Sequence, residues 1–315
     1  MLGLIARRLL SLIPLLLVVS FVVFSLTYLL PGDPATTMAG GVNASPQDIA
    51  RIQKEFGFDD PLPTQYVRWL KNAVRLDFGD SLIDQKPVSE EISRRFPVTI
   101  SLALSAMVVG LLIGIPLGIM AGMRPGSVRD KVGVGVASLG VAIPNFWLAM
   151  VLVAIFAVDL AWFPALGWAN FQDDPGEWLW YVVLPAVALG VWAAASLARQ
   201  LRSALIDTLD QNYIRTAWAK GGRERRVVGK HALKNAAIPA VTVIALQLST
   251  LLGGAVVIEQ LFSIPGLGTY LIAAIRSYDI PVIQGVTIVF VLIYVVMNLI
   301  VDISYGYFNP RVRVS

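Results

Sequence analysis

Six runs in this sequence pass 21 or more residues without an Asp, Glu, Lys or Arg: 9–30, 98–123, 132–158, 178–198, 236–258 and 280–301. A helix rises 1.5 Å per residue, so about 20 residues cross a hydrocarbon core of roughly 30 Å. In lipid every backbone N–H and C=O must find a partner within the chain, which leaves helices and closed barrels. Barrel strands are short and alternate in polarity, and these runs do neither. The expectation is an all-α polytopic membrane protein with six transmembrane helices. At 56% hydrophobic and 15% charged residues, the 315-residue chain has too little polar surface for a soluble domain of its length. The first run follows Arg7 and Arg8 and is too long for the core of a cleaved signal, so 1–30 is read as a retained transmembrane helix. Pro14, Pro116, Pro144, Pro185, Pro239 and Pro281 fall inside the runs, where bundle neighbours are expected to satisfy the freed backbone groups. Small-residue clusters at 110–122 and 251–255 suit close helix approach.

Lys and Arg set the expected orientation. Segments 1–8, 124–131, 199–235 and 302–315 hold 16 basic residues, against nine on the other side, and the loop 159–177 holds four acids and no base. Basic short loops stay inside, so both termini are expected in the cytoplasm, with the protein in a bacterial or archaeal cytoplasmic membrane. The organisation that follows is a first helix (1–30), an extracytoplasmic helical insertion (31–97), a five-helix core (98–303) and a cytoplasmic tail (304–315). Within the insertion, "SPQDIARIQKEFG" (45–57) reads as a short helix from a Ser/Pro start to Gly57. "PLPTQYVRWLKNAVRLDFG" (61–79) reads as a second, with Tyr66, Val67, Leu70 and Val74 near one face.

The basic interruption at 199–235 is the most informative segment. Leu205, Ile206, Leu209, Tyr213 and Ala217 recur at near-helical spacing, Gly221–Gly222 provides a left-handed stop, and a second helix-compatible run starts at Arg223. Such an elbow is a rigid knob at the membrane face. A plain basic inner loop or a surface for anionic lipid fits its charge too. Nucleic acid does not, since no stacking platform or reading motif accompanies the charge.

Absences narrow the function. No Gly-x-x-x-x-Gly-Lys-Ser/Thr occurs, so the chain carries no such ATP site of its own. There is no cysteine and no His-Glu-x-x-His, and the only histidine, His231, lacks clustered acids, so it reads as a packing residue and no metal is expected. No run carries a central ionisable group of the kind proton-coupled carriers use; a secondary transporter stays as the rival reading. Polar residues within the runs, Asn145, Gln247, Thr250, Gln284 and Asn298, are candidates to line an uncharged route, and interhelical hydrogen bonding explains each equally well.

"RTAWAKG" (215–221) resembles the conserved cytoplasmic loop of ATP-binding-cassette importer permeases. Ala217 and Gly221 match its third and seventh positions, while Arg215 and Thr216 replace Glu and Ala, and Leu233–Lys234 stands for the loop's Leu-Pro. With 6–35, "DFGDSL" (77–82), "IPNFWLAM" (143–150) and "EQLFSIPGLG" (259–268), nearly the whole chain is similar to the B-type permease subunits of the dipeptide/oligopeptide/nickel family. The resemblance implies a type I importer-like bundle that forms half of a translocation path. It implies a coupling helix at Tyr213, Arg215, Thr216, Ala217, Lys220, Gly221, Arg223 and Arg225 that docks on a cytoplasmic ATPase. It favours an external gate at Glu259, Phe262, Pro265, Gly266 and Gly268, although a rigid return between spans fits the same residues. The implied partners are a C-type permease, two ATP-binding subunits carrying ATP and Mg, and an extracytoplasmic substrate-binding protein. The chain itself is expected to be non-catalytic and to bind no cofactor. Its cargo is expected to be peptide, with nickel chelate or haem as the family's alternatives.

Overall fold

The computed structural model describes residues 2–29, 35–36, 39–40, 44–223 and 226–308. The candidate contact Arg225, the motif residues 31–34 and the tail beyond 308 lie outside the described residues. The helices are α1 (Leu2–Leu29), α2 (Pro46–Phe56), α3 (Leu62–Val74), α4 (Val88–Gly122), α5 (Val128–Ala142), α6 (Asn145–Leu152), α7 (Pro175–Leu209), α8 (Asn212–Ala219), α9 (Leu233–Phe262), α10 (Leu267–Ser277) and α11 (Ile280–Phe308). Wider π-type turns follow α6 (Val153–Asp159) and precede α9 (Val227–Ala232). No strand occurs among the described residues; the one extended pairing is a bridge between Asp80 and Pro87.

Among the described residues each charge-free run falls on helix, the third with a break at 143–144. Three helices among the described residues are long and apolar enough to cross a membrane unbroken, and the number is five if each of two bent pairs is one span. The first run lies on the 28-residue α1, with an apolar stretch at Leu12–Leu26. The third run is not the single straight helix expected: it bends by 97° between α5 and α6. Pro144 is the cause. A proline disfavours helical backbone in the residue before it, and Ile143 is extended (φ −77°, ψ 122°).

The chain packs as two units, Met1–Pro97 with Gly266–Val295, and Val98–Pro265 with Val296–Ser315. This partition follows packing, whereas the boundaries at 30, 97 and 303 follow sides of a membrane.

In the first unit α2 starts at the Ser45 cap, whose hydroxyl accepts the Asp48 N–H, and ends at Gly57 in left-handed backbone. Helix α3 forms where expected, and its covered side takes in Tyr66 and Leu70, both half-buried, but is turned away from Val67 and Val74. Gln65 and Ala73 are buried, with Trp69 partly covered between them, while Val67 and Val74 are exposed. Gln65 tolerates burial because its amide donates to the Phe58 and Asp60 carbonyls (3.0 and 2.8 Å) and accepts from the Tyr28 hydroxyl. Phe21 and Phe24 join α1 to Tyr66 and Trp69 of α3 through ring contacts 5.4–5.9 Å between centroids. Ser81 donates to Asp279 at 2.6 Å, both buried, and so ties the 77–87 loop to the α10–α11 turn.

In the second unit α7 is the centre, packed by α5, α6 and α9. Helix α4 meets it along Gly110, Gly114, Gly118 and Gly122, spaced four apart and therefore on one face. A Cβ at Gly114 would sit 2.7 Å from the Ala194 carbonyl oxygen, and one at Gly118 2.9 Å from that of Ala198. From the other side, a Cβ at Gly190 would sit 2.6 Å from the Ala106 carbonyl. Backbone thus touches backbone along this seam. Helix α5 joins through Ala137, packed with Ala195 and Ala198.

Candidate functional site

After the two residues Asp210 and Gln211 that follow α7, the eight-residue α8 begins. It is held from below by Ile214, fully buried in a cluster with Leu197, Leu201, Leu205, Val227 and Ala232. It is held from the side by Tyr213, whose hydroxyl accepts from the Asn235 amide of α9 at 3.1 Å. Its end is a complete Schellman turn: the Gly221 N–H donates to the Trp218 carbonyl (2.9 Å) and the Gly222 N–H to the Ala217 carbonyl (3.2 Å).

The two glycines differ in what requires them. Gly221 sits at φ +74° in open space, so its backbone angle is the constraint. At Gly222 the constraint is space: a Cβ would lie 2.7 Å from the Val227 side chain and 2.8 Å from the Ala217 carbonyl. Gly222 fixes the angle at which the chain turns toward α9.

The remaining candidate contacts spread over the free side of α8. Arg215 pairs with Asp210 at 2.6 Å, with both side chains exposed, so the pair is worth at most about 1 kcal/mol. The Thr216 hydroxyl returns to the Asn212 carbonyl (3.0 Å). Lys220 and Arg223 are exposed, and Ala217 is half-buried. Sequence reasoning passed over Trp218, which is 41% exposed. It borders a cavity of about 740 Å³ beside α8, together with Met123, Ile206, Asp207 and Asp210. An exposed tryptophan next to the helix stop was the available signal. His231 lies in the π-type turn, and its carbonyl accepts from Asn235 at 2.8 Å.

Beyond the charge-free runs on this side, Asp130 of α5 and Arg202 of α7 form a two-pronged ion pair, Nε to Oδ1 at 2.5 Å and Nη2 to Oδ2 at 2.8 Å. The hydrogen bond from Arg202 and the Gly126 N–H hold the Asp130 carboxyl well below its usual range, at about 2, and the same bond raises Arg202.

The candidate path residues divide between the two units. Asn145 opens α6, its amide 3.3 Å from where a Cβ of Gly254 on α9 would stand. Gln247, on α9, is buried with neither amide atom partnered. Thr250, one turn on, is exposed and returns to the Leu246 carbonyl at 3.4 Å. Asn298 lies on the later part of α11, whereas Gln284, in the first unit, donates to the Phe24 carbonyl at 3.3 Å.

The candidate gate residues divide between the units. Glu259 is fully buried within α9 and accepts from the Thr99 hydroxyl at 2.6 Å. Phe262 is buried, and its carbonyl accepts the Gly167 N–H at 2.9 Å. Ser263 then ends α9 in left-handed backbone (φ +55°), a conformation costly for a residue with a side chain and invisible in the sequence. Pro265 closes this unit; Gly266 caps α10 and Gly268 is buried within it.

Residues 114–314 match the family described as the inner membrane component of binding-protein-dependent transport systems, and residues 1–103 match the N-terminal part of such membrane components. A protein of Brucella abortus (strain 2308), provisionally named a peptide transport system permease, is 43% identical over 313 residues, 99% of each chain. The glutathione transport system permease protein GsiC of Salmonella typhimurium (strain LT2) is 41% identical over 313 residues, again 99% of each. Among solved structures, a chain of the inward-facing MetNI methionine ABC transporter is similar in fold, with a TM-score of 0.58 at 20% identity, covering 69% of this chain and 96% of that one.

Proposed function

The chain belongs to the family of inner membrane components of binding-protein-dependent transport systems, and from that premise we propose that it is one of two membrane-spanning subunits of an ATP-driven peptide importer. Peptide cargo is carried over from the full-length relatives named for peptide and glutathione transport. The proposed partners are a second, C-type permease, two cytoplasmic ATP-binding subunits that hold ATP and Mg, and an extracytoplasmic substrate-binding protein. Both termini and α8 face the cytoplasm in this reading, as the basic inner segments favour. The permease binds no nucleotide and contributes half of the path.

The observation that carries the reading is α8: a short helix anchored by Ile214, stopped by a full Schellman turn and locked to the next helix through Gly222. Nucleotide chemistry on another chain reaches this one only as displacement, and an anchored knob passes displacement on while a loose loop absorbs it. ATPase closure then shifts the population between inward- and outward-open states through α8.

Co-expression with the two ATPases and the C-type subunit, then reconstitution in vesicles, tests the reading. Trp218→Ala removes the exposed aromatic and leaves the Ile214 anchor intact. Buried aromatic anchors of interfaces contribute about 2 kcal/mol or more, so ATPase capture is expected to weaken at least tenfold while membrane insertion is unchanged. Wild-type uptake without any ATPase, or full capture by the Trp218→Ala subunit, would sink the proposal.

A further inference from the structure

We infer that Asp130 and Arg202 are positioning residues for energy coupling: they brace the end of α7 so that displacement received at α8 moves α4, α5 and α7 together. The inference rests on the function proposed above.

The geometry is more specific than a surface ion pair. Asp130 is 4% exposed and uses both oxygens: Oδ1 takes Arg202 Nε, and Oδ2 takes Arg202 Nη2 and the Gly126 N–H at 2.8 Å. Its own N–H donates to the Ser127 hydroxyl that caps α5. An acidic residue three places after a serine cap usually turns its side chain back to the cap's N–H. Here the carboxylate is directed to the preceding turn and to another helix. Contrast the pair of Arg215 on α8 and Asp210 at the end of α7, where both partners are exposed and held by a single contact.

Arg202 is where three helices meet. Its guanidinium holds α5, and its carbonyl lies 3.1 Å from where a Cβ of Gly122, the last residue of α4, would stand. Seven residues later α7 ends, roughly 10 Å along its axis at 1.5 Å per residue. A push on α8 enters α7 at that end. With the guanidinium engaged, the helix end cannot swing without dragging α5 and the 124–127 turn, so the push is delivered to the whole block. With it released, the last turns of α7 flex and the displacement dissipates while hydrolysis continues elsewhere. The fork matters as well as the charge, because two parallel bonds fix orientation and one ammonium does not.

The test uses the reconstituted complex with its binding protein, measuring ATP hydrolysis and uptake of a defined mixture of isotope-labelled di- and tripeptides in the same vesicles. Asp130→Asn and Arg202→Lys are expected to keep hydrolysis within about twofold of wild type and to lower uptake per ATP about tenfold, which corresponds to about 1.4 kcal/mol. Asp130→Glu, which keeps the carboxylate, is expected to retain most of the ratio. Hydrolysis and uptake falling in parallel, or a ratio unchanged in both variants, overturns the brace. If Asp130→Asn fails to assemble, Arg202→Lys decides; failure of both to assemble makes the pair a folding element and overturns the inference. Wild-type vesicles without ATP-dependent uptake would refute the importer reading itself, whereas a coupled wild type with coupled variants refutes only the brace.

Discussion

In the unit of Val98–Pro265 and Val296–Ser315, α4 and α7 approach until a methyl group no longer fits between them, whereas in the unit of Met1–Pro97 and Gly266–Val295 side chains do the joining. The first relies on Gly114, Gly118 and Gly190 set against carbonyl oxygens. The second relies on the Ser81–Asp279 hydrogen bond, the Gln65 amide and a cluster of rings around Phe24 and Tyr66. The difference follows from the competing solvent. Between apolar helices in lipid, a leucine gains little by leaving a lipid tail for a neighbouring helix, so specificity comes from shape and from backbones close enough for dispersion contacts. For the polar segments around 44–87, water competes for every donor and acceptor, and a buried hydrogen bond selects one arrangement because the unmatched alternative is costly.

If this is right, one methyl group should do most damage in the seam. Gly190→Ala places Cβ 2.6 Å from the Ala106 carbonyl and 2.9 Å from Val109 Cβ, with backbone on one side that cannot move aside. An overpacking cost of about 1–3 kcal/mol is expected, read as a lower thermal midpoint of the detergent-purified complex. Gly135→Ala, on α5 with nothing within 4 Å, is the matched control and should be neutral or slightly stabilising, since Ala is the better helix former. Equal midpoints for the two variants would mean that the seam has room to spare.

A smaller effect is expected in the side-chain-joined unit. Ser81→Ala leaves Asp279 Oδ2 without its donor while Oδ1 already lacks one, at a site 3% exposed. The expected cost is about 1–2 kcal/mol. It should appear locally, as faster amide exchange across 77–87 with α4 and α7 unaffected. Exchange that rises everywhere would show that the two modes of cohesion are not separable.

The sequence made some of this legible because some signals are local. Charge-free runs marked the helices, Ser45 and Gly57 bounded α2, and paired glycines marked the stop after α8. What stayed hidden depends on tertiary surroundings. Pro185 and Pro144 look alike in the sequence, yet α7 continues through Pro185 and the chain bends at Pro144. Leu184, before Pro185, is buried in the core and held in helix, whereas Ile143, before Pro144, takes the extended form that proline favours. Gln65 against Val67 is a second case: period alone placed Val67 on the covered face of α3, and an amide with three partners takes the buried position instead. Within the elbow, nothing local distinguishes Gly221, needed for its positive φ, from Gly222, needed for the space it leaves beside Val227. The Asp130–Arg202 pair, 72 residues apart, needs α5 and α7 to be side by side before it can be seen.

That pair also gives the smallest effect that separates the two units, because it is where the small-residue seam ends and a charge takes over. The Asp130 carboxyl is lowered from 3.8 to about 2, first by the Arg202 hydrogen bond and next by the Gly126 N–H. A carboxyl bound more weakly by protons when folded than when unfolded stabilises the fold above its unfolded value, and that contribution is lost as pH falls through the folded one. Wild type should therefore exceed Asp130→Asn in thermal midpoint by a constant margin above about pH 4, with the margin closing toward pH 2. Gly190→Ala, whose defect is steric, should keep the same deficit relative to wild type across that window. A margin between wild type and Asp130→Asn that persists at pH 2 would mean that the carboxylate's charge is not what holds α5 to α7.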